Sequence, residues 1–271
     1  MKTKLLLLLF VLVALVCTFA SCAGEAETTA ESTTTAPVVT TTAPVTTTPL
    51  DGDDPMAAYE YVLKKMNSLG GYEATIIEEH DLGLEETTVK STVKVNLLDG
   101  KKGFISTRIN KEFESVHMTY IDGTVYCLVK ATGMDIKYKT TDRAVTLAFD
   151  ELFAELEEKG KDNDPESVAF VKRENGSCLF QATFSKAVGR KILFENYEGA
   201  NPSAYSDIAY TAEFECNADG YITDITYKLF FTVNGMACSF ITETTYHNVG
   251  TVPEVTAPAD AYSYVDESEL E

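Results

Sequence analysis

A few groups of residues in this 271-residue chain have types and spacings that chemistry uses. Ser91-Thr92-Val93-Lys94 has the Ser-x-x-Lys spacing of penicillin-recognising enzymes, where the serine and lysine lie one helical turn apart. Residues 88–97 alternate as a strand does, so positions three apart point to opposite faces, and no Ser-Asp-Asn or Lys-Thr-Gly companion is present. His80, His117 and His247 fall in no metal-ligand pattern, and alternation puts His117 and His247 on a polar face. Acidic runs occur at Asp51 to Asp54, Glu78-Glu79, Asp162 to Asp164 and Glu267 to Glu271. Asp162, Asn163 and Asp164 carry oxygen ligands that calcium accepts, but the loop lacks the glycine and terminal glutamate of a twelve-residue calcium loop. These runs read as solvated charged surface.

Four cysteines lie beyond residue 55: Cys127, Cys178, Cys216 and Cys238. An even number in an exported chain permits two disulfides, with three connectivities. Buried thiols also serve as small hydrophobes, and both readings stay open. The chain has no phosphate-cradling glycine loop, no nucleophile elbow and no His-Glu-x-x-His. The residues therefore assign no catalytic centre, no metal site and no cofactor, and the chain reads as a non-enzyme. Lys plus Arg is 22 against 42 Asp plus Glu, a net charge of −20. That balance argues against nucleic acid and against direct docking on anionic headgroups.

The amino terminus carries an address. Met1-Lys2-Thr3-Lys4 is a short positive region, and Leu5 to Val16 is an uninterrupted apolar run. That run suits a signal peptide over residues 1–21 and is too short to span a bilayer. Ala20-Ser21-Cys22 resembles a bacterial lipobox, which implies a diacylglycerol on Cys22 and cleavage just before it. The alternative is an ordinary secreted protein cut near Ala23. Residues 22–54 form a tether: Thr28 to Leu50 holds eleven threonines, with Pro37, Pro44 and Pro49, and no aromatic residue. Such a segment cannot bury enough apolar surface to order itself.

The folded domain is expected over 55–265, with an acidic tail at 266–271. Asp54 caps and Pro55 opens a helix to Leu69 with Tyr59, Val62, Leu63 and Met66 as its apolar stripe, and Gly70-Gly71 stops it. A second helix is expected over Thr141 to Lys159, with Ala144, Leu147, Ala148, Phe149, Leu152 and Leu156 on or near one face. A third is expected over Ser185 to Tyr197. The rest reads as strands joined at Asp99-Gly100, Asp122-Gly123, Asn175-Gly176, Asp219-Gly220 and Asn234-Gly235, dipeptides that suit two-residue hairpin turns.

Those turns fix registers. Asn234-Gly235 sets Phe231 opposite Cys238 and Leu229 opposite Phe240. Asp219-Gly220 sets Leu229 opposite Tyr210, Ile225 opposite Phe214 and Thr223 opposite Cys216. One face then carries Ile208, Tyr210, Phe214, Ile225, Tyr227, Leu229, Phe231 and Phe240; the other carries Thr211, Glu213, Glu215, Asp224, Thr226 and Lys228. The same reasoning groups Ala169, Val171, Cys178, Phe180 and Phe184, and separately Val116, Met118, Tyr120, Val125, Cys127 and Val129. Thr223 and Phe231 are eight residues apart, which separates Cys216 from Cys238 by roughly 25 Å, beyond disulfide reach. Any bridge from either goes to Cys127 or Cys178.

The lipidated cysteine, the Thr-rich tether, the opening helix and long meander, the Gly220-Tyr221-Ile222-Thr223-Asp224-Ile225 hairpin and the closing Asn248 to Ala261 segment together resemble the LolA/LppX-like lipoproteins. The resemblance implies an α+β fold, a strongly curved antiparallel half-barrel of hairpin meanders covered by a few helices. It also implies a lipid or other hydrophobic ligand held between sheet and helices, at Phe180, Phe184, Tyr210, Phe214, Tyr227, Leu229, Phe231 and Phe240. A surface interaction or structural module with a filled core is the alternative. The expected location is the extracytoplasmic side of a bacterial cell membrane, of Gram-positive type, with the diacylglycerol of Cys22 as the membrane contact and the protein partner unassigned. Cys22→Ala is accordingly expected to release the protein to the medium, as cell fractionation would show; a variant that stays uncut and membrane-bound would put the anchor elsewhere.

Overall fold

The computed structural model describes residue 50 and residues 54–83, 86–98, 101–109, 115–131, 133–143, 145–149, 164–196 and 201–270. The signal, Cys22, nearly all of the tether, the Asp99-Gly100 turn, Asp162 and Asn163 lie outside these residues. So do Ala144, Leu152 and Leu156.

Helix α1 (Pro55–Asn67) starts as its sequence dictates: Asp54 accepts a hydrogen bond from the Ala57 amide at 3.0 Å, and proline occupies the first turn. Ala58, Tyr59, Val62 and Met66 form its buried face. Helix α2 (Lys186–Asn196) matches the expected third helix to within a residue at each end. Residues 145–149 are helical, within the expected second helix. Phe149 is buried there, but Leu147 is 44% exposed and does not share its face.

The strands are β1 (Gly71–Asp81), β2 (Glu86–Asn96), β3 (Gly103–Ile109), β4 (Ser115–Ile121), β5 (Thr124–Ala131), β6 (Met134–Thr140), β7 (Ser167–Lys172), β8 (Cys178–Phe184), β9 (Tyr205–Cys216), β10 (Ile222–Val233), β11 (Met236–His247) and β12 (Val265–Asp266). They form one twelve-stranded sheet in the order β12-β6-β5-β4-β3-β2-β1-β11-β10-β9-β8-β7. The sheet is curved and open, with β7 and β12 as its edges. Every pairing is antiparallel except that of β12, which runs parallel to β6. The fold is thus α+β, a half-barrel of meanders with helices on its inner face.

Two meanders make up this sheet. β1 to β6 pair in chain order, as do β7 to β11, and β1 joins the two halves by pairing with β11 from Glu73↔His247 to Asp81↔Ser239. The inner face carries two apolar clusters. One joins β8 to β11 with α1 and α2; the other joins β1 to β6 with Phe149. Phe149 stacks on Tyr120 at 4.6 Å, and Tyr59 of α1 meets Phe214 edge-on at 5.4 Å.

Turn chemistry explains where the expected registers hold and where they slip. Asp122-Gly123 and Asn234-Gly235 both adopt positive φ at both residues, as a two-residue mirror-image turn requires. Their registers are as expected: Met118↔Cys127, Phe231↔Cys238 and Leu229↔Phe240. At Asn175-Gly176 and Asp219-Gly220 only the glycine has positive φ. Each closes a three-residue loop, with Arg173 bonded to Ser177 and Asn217 to Tyr221. A three-residue loop displaces the register by one residue, and a one-residue slip exchanges faces.

In the β7–β8 hairpin this slip stands. Phe170 pairs with Phe180 and Val168 with Ala182, while Val171 is 56% exposed and Ala169 also faces solvent. The expected inward placement of Ala169 and Val171 is therefore corrected. Strand β7 is apolar in both parities, so its alternation did not resist the shift. In the β9–β10 hairpin a bulge undoes the slip. Cys216 pairs with Ile222 rather than the expected Thr223, which is the extra residue, and beyond it Ile225↔Phe214 and Leu229↔Tyr210 hold.

All four cysteines are free and buried. Burial is the first cause raising the thiols of Cys127, to about 11, and Cys216, to about 12. Cys178 stands directly opposite Cys216 on β8 and β9. Cys238 pairs with Phe231, nine residues along β10 from Ile222, so roughly 30 Å separates it from Cys216.

After β11 the chain crosses the outer face as a strap. Val255 is buried against Gly103, Asn96 donates a hydrogen bond to the Pro253 carbonyl at 3.1 Å, and Lys137 pairs with Asp260 at 2.6 Å. The strap ends in β12 and a short 3-10 turn, Glu267–Glu269.

These faces predict sharply different mutational costs. Phe214 is fully buried, so Phe214→Asp introduces an unpaired charge into apolar surroundings and is expected to unfold the protein. Lys228 and Glu213 pair at 3.0 Å on the outer face, where breaking an exposed ion pair costs about 1 kcal/mol or less. Circular dichroism melts of Phe214→Asp and Lys228→Gln read the difference; equal tolerance would reverse the faces.

Candidate functional site

The inner face has a seam where the two apolar clusters meet, at β1, β2, β3 and β11. The seam differs from both in being polar. On β1, alternation turns Tyr72, Ala74, Ile76, Glu78 and His80 inward. Glu78 is 7% exposed, which overturns the expectation that the Glu78-Glu79 pair is solvated surface: Glu79 is exposed, and Glu78, one residue earlier, points inside. Ile76 lies opposite Ser91 of β2 on one side and Thr244 of β11 on the other, and Ser91 lies opposite Arg108 of β3. Ser91 and Thr244 are each 1% exposed, and Ser106 and Thr242 are buried beside them.

The seam is electrostatically unusual. Arg108 Nη2 lies 3.6 Å from Glu78 Oε2, close enough for charge attraction and too far for a hydrogen bond. Among the described residues, no hydrogen-bond partner meets Glu78 Oε2, Ser91 Oγ or Thr244 Oγ1. Burial raises the Glu78 carboxyl above its ordinary value, against the opposing pull of Arg108. Burial likewise lowers the Arg108 guanidinium, with Glu78 acting against it. His80 packs its ring 4.7 Å from Phe240, and burial, then Arg108, lowers its imidazole.

The eight residues expected to line a ligand cavity all face inward, but they differ in access. Phe180 and Phe214 are 0% exposed, and Phe184, Tyr210, Leu229 and Phe231 are buried with them under α1 and α2. Tyr227 and Phe240 are only partly buried, and they adjoin the polar seam. α1 packs chiefly on β7 and β10, and α2 on β9. A shallow cleft between the end of α1, Tyr72 and Tyr246 leaves essentially no enclosed volume for a water molecule, against the roughly 300–1,000 Å³ usual for ligand pockets.

The other residues weighed for chemistry lie apart. Lys94 faces outward beside Glu73 at 3.3 Å while Ser91 faces in, so no Ser–Lys pair forms. His117 is hydrogen-bonded between Thr107 and Ser115, at 2.9 and 2.8 Å, and His247 meets Thr75 at 2.9 Å. Among the described residues, no three His, Cys, Asp or Glu side chains converge as a metal site needs, and no helix is long and apolar enough to cross a membrane. The seam itself was missed by sequence reasoning. Its signal was the parity of Glu78 and His80 with Ala74 and Ile76, but its cation comes from β3, a non-local neighbour.

The fold defines the class: an open, curved antiparallel sheet with helices on its inner face. No family model matches the chain, and no curated protein matches it. Solved structures similar to it include the lipoprotein LppX of Mycobacterium tuberculosis, at 12% identity and TM-score 0.36, covering 73% of this chain and 97% of that one. A LolA superfamily protein from Nitrosomonas europaea is similar at 6% identity and TM-score 0.25, covering 75% and 96%. A lipoprotein-sorting protein domain from Vibrio parahaemolyticus is similar at 11% identity and TM-score 0.22, covering 73% and 93%. These are the groups the sequence resemblance pointed to; at such scores the fold class rests on the strand pairing itself.

The histidines predict a pH dependence. His80 and His117 are both lowered from 6.5, burial first in each case, with Arg108 and Lys130 next respectively. The unfolded chain then takes up protons more readily, so stability is full above about pH 6.5 and falls as the pH drops below it. Glu78 is raised and acts in the opposite sense, nearer the acid range. Melting temperature is expected to fall between about pH 7.5 and about pH 5.5, and to fall less in His80→Gln. An equal fall in both proteins would leave His80 out of the effect.

Proposed function

We propose that the chain is a membrane-anchored extracytoplasmic lipoprotein, held by a diacylglycerol on Cys22. In this reading it is not an enzyme and binds a lipid or other hydrophobic ligand between sheet and helices. The observation that carries this reading is the pair Tyr227 and Phe240. Both face inward, yet both are only partly buried, while the aromatic residues around them are sealed. Large aromatic surface left accessible on the inner side of a curved sheet is where an acyl chain would lie. The Thr-rich tether would hold the domain at a distance from the membrane, and the net charge of −20 would keep it off anionic headgroups.

One observation favours the second reading, a surface module with a filled core. Phe180 and Phe214 are 0% exposed, and Tyr59 closes on both rings. On that reading the inner face is only a core and the protein works through its outer surface.

The two are separated by the full chain carrying Cys22→Ala, collected without membrane. Lipid extraction and mass spectrometry are expected to find a bound lipid, and a fluorescent fatty-acyl probe is expected to bind. Tyr227→Ala with Phe240→Ala is expected to lower probe uptake about tenfold while the fold persists, since both side chains are only partly buried. Absence of both lipid and probe binding would leave the filled-core reading.

A further inference from the structure

Buried polar atoms are almost always hydrogen-bonded, and leaving one unmet costs about 1–3 kcal/mol. Among the described residues the seam holds such atoms at Glu78 Oε2, Ser91 Oγ and Thr244 Oγ1, on adjoining strands of one face. They are not scattered defects of packing. Ser91 and Thr244 flank the same residue, Ile76, and Glu78 is the next inward position along β1. Arg108 brings its guanidinium to within 3.6 Å of the Glu78 carboxylate, beyond hydrogen-bond distance. The adjoining inward positions are apolar and partly accessible: Tyr227 pairs with Thr242, which pairs with Glu78, and Phe240 pairs with His80.

We propose that Glu78, Ser91, Arg108 and Thr244 form a binding site for the uncharged polyol head group of a lipid whose chain lies along Tyr227 and Phe240. The proposal rests on the hydrophobic-ligand reading above and names the head group. The charge pattern selects the chemistry. A phosphate or carboxylate placed on Arg108 would face the Glu78 carboxylate, and an ammonium placed on Glu78 would face the Arg108 guanidinium. A hydroxyl suits both, because it donates to the carboxylate and accepts from the guanidinium. A second hydroxyl of the same head group meets Ser91 and Thr244, each of which can donate or accept.

The test uses the full chain carrying Cys22→Ala and three probes of one chain length: 1-myristoylglycerol, methyl myristate and myristic acid. Affinities are read by displacement of a fluorescent acyl probe. The monoacylglycerol is expected to bind about tenfold more tightly than the ester, the scale of one to two hydrogen bonds to buried groups. In Ser91→Ala with Thr244→Val this preference is expected to vanish while ester affinity is unchanged. The double variant removes unmet polar atoms, so the ligand-free protein is expected to melt no lower than the parent; a lower melting point would assign both hydroxyls a structural role instead. Equal binding of monoacylglycerol and ester would mean that the seam holds only water, overturning the head-group proposal and leaving the hydrophobic-ligand reading intact. Tightest binding of myristic acid would overturn the choice of an uncharged group. Failure of all three probes to bind would overturn the hydrophobic-ligand reading and this proposal with it.

Discussion

The pairing of β1 with β11 is the joint on which the molecule depends. Each meander alone is an open sheet with one apolar face and an unpaired edge. Nine consecutive residue pairs, Glu73↔His247 to Asp81↔Ser239, convert the two into one surface with a shared inside. The joint also decides what lies at the centre. The apolar clusters lie to either side of it, one on β8 to β11 under α1 and α2, the other on β1 to β6 with Phe149. At the joint the inward side chains of β1 and β11 are instead Ile76, Glu78 and His80 facing Phe240, Thr242 and Thr244.

That arrangement leaves a sheet with two tight ends and a polar middle. At the ends, rings close on rings: Tyr59 on Phe214, Phe170 on Phe180 at 4.9 Å, and Tyr120 on Phe149. Such packing is dense and admits little. In the middle an ion pair stands at 3.6 Å and hydroxyls lack partners among the described residues. A sequence selected only for stability would have filled these positions with apolar residues of similar size, since a buried pair is often no better than such a replacement.

Much of this was legible in the sequence, and the exceptions have physical reasons. Asn234-Gly235 read correctly because both residues take positive φ, so the loop length and every register beyond it follow. Asn175-Gly176 misled because the same dipeptide also serves a three-residue loop in which only the glycine is left-handed. The Val168 to Val171 run is apolar in both parities and offered no check. The β9–β10 register was right from Asp224 to Phe230 only because a bulge at Thr223 restored it, a second irregularity shifts it again before Thr232↔Ser206, and local sequence does not announce a bulge. The polar seam was hidden for another reason. Adjacent glutamates suggest surface, and only strand parity combined with the distant Arg108 shows that one of them is buried.

The closing strap has a consequence in time. The outer face of β1 to β6 is engaged by residues that follow β11, through Pro253, Val255 and Asp260, and β6 gains its edge partner from Val265 and Asp266. The first meander therefore finds both its neighbouring strand and its outer cover at the far end of the chain. Contacts of such long sequence separation form late and make folding slow. The first meander would remain incomplete until residues 253–266 have been made. Shortening the strap by a few residues would thus act on the schedule of folding as much as on the strength of the final structure.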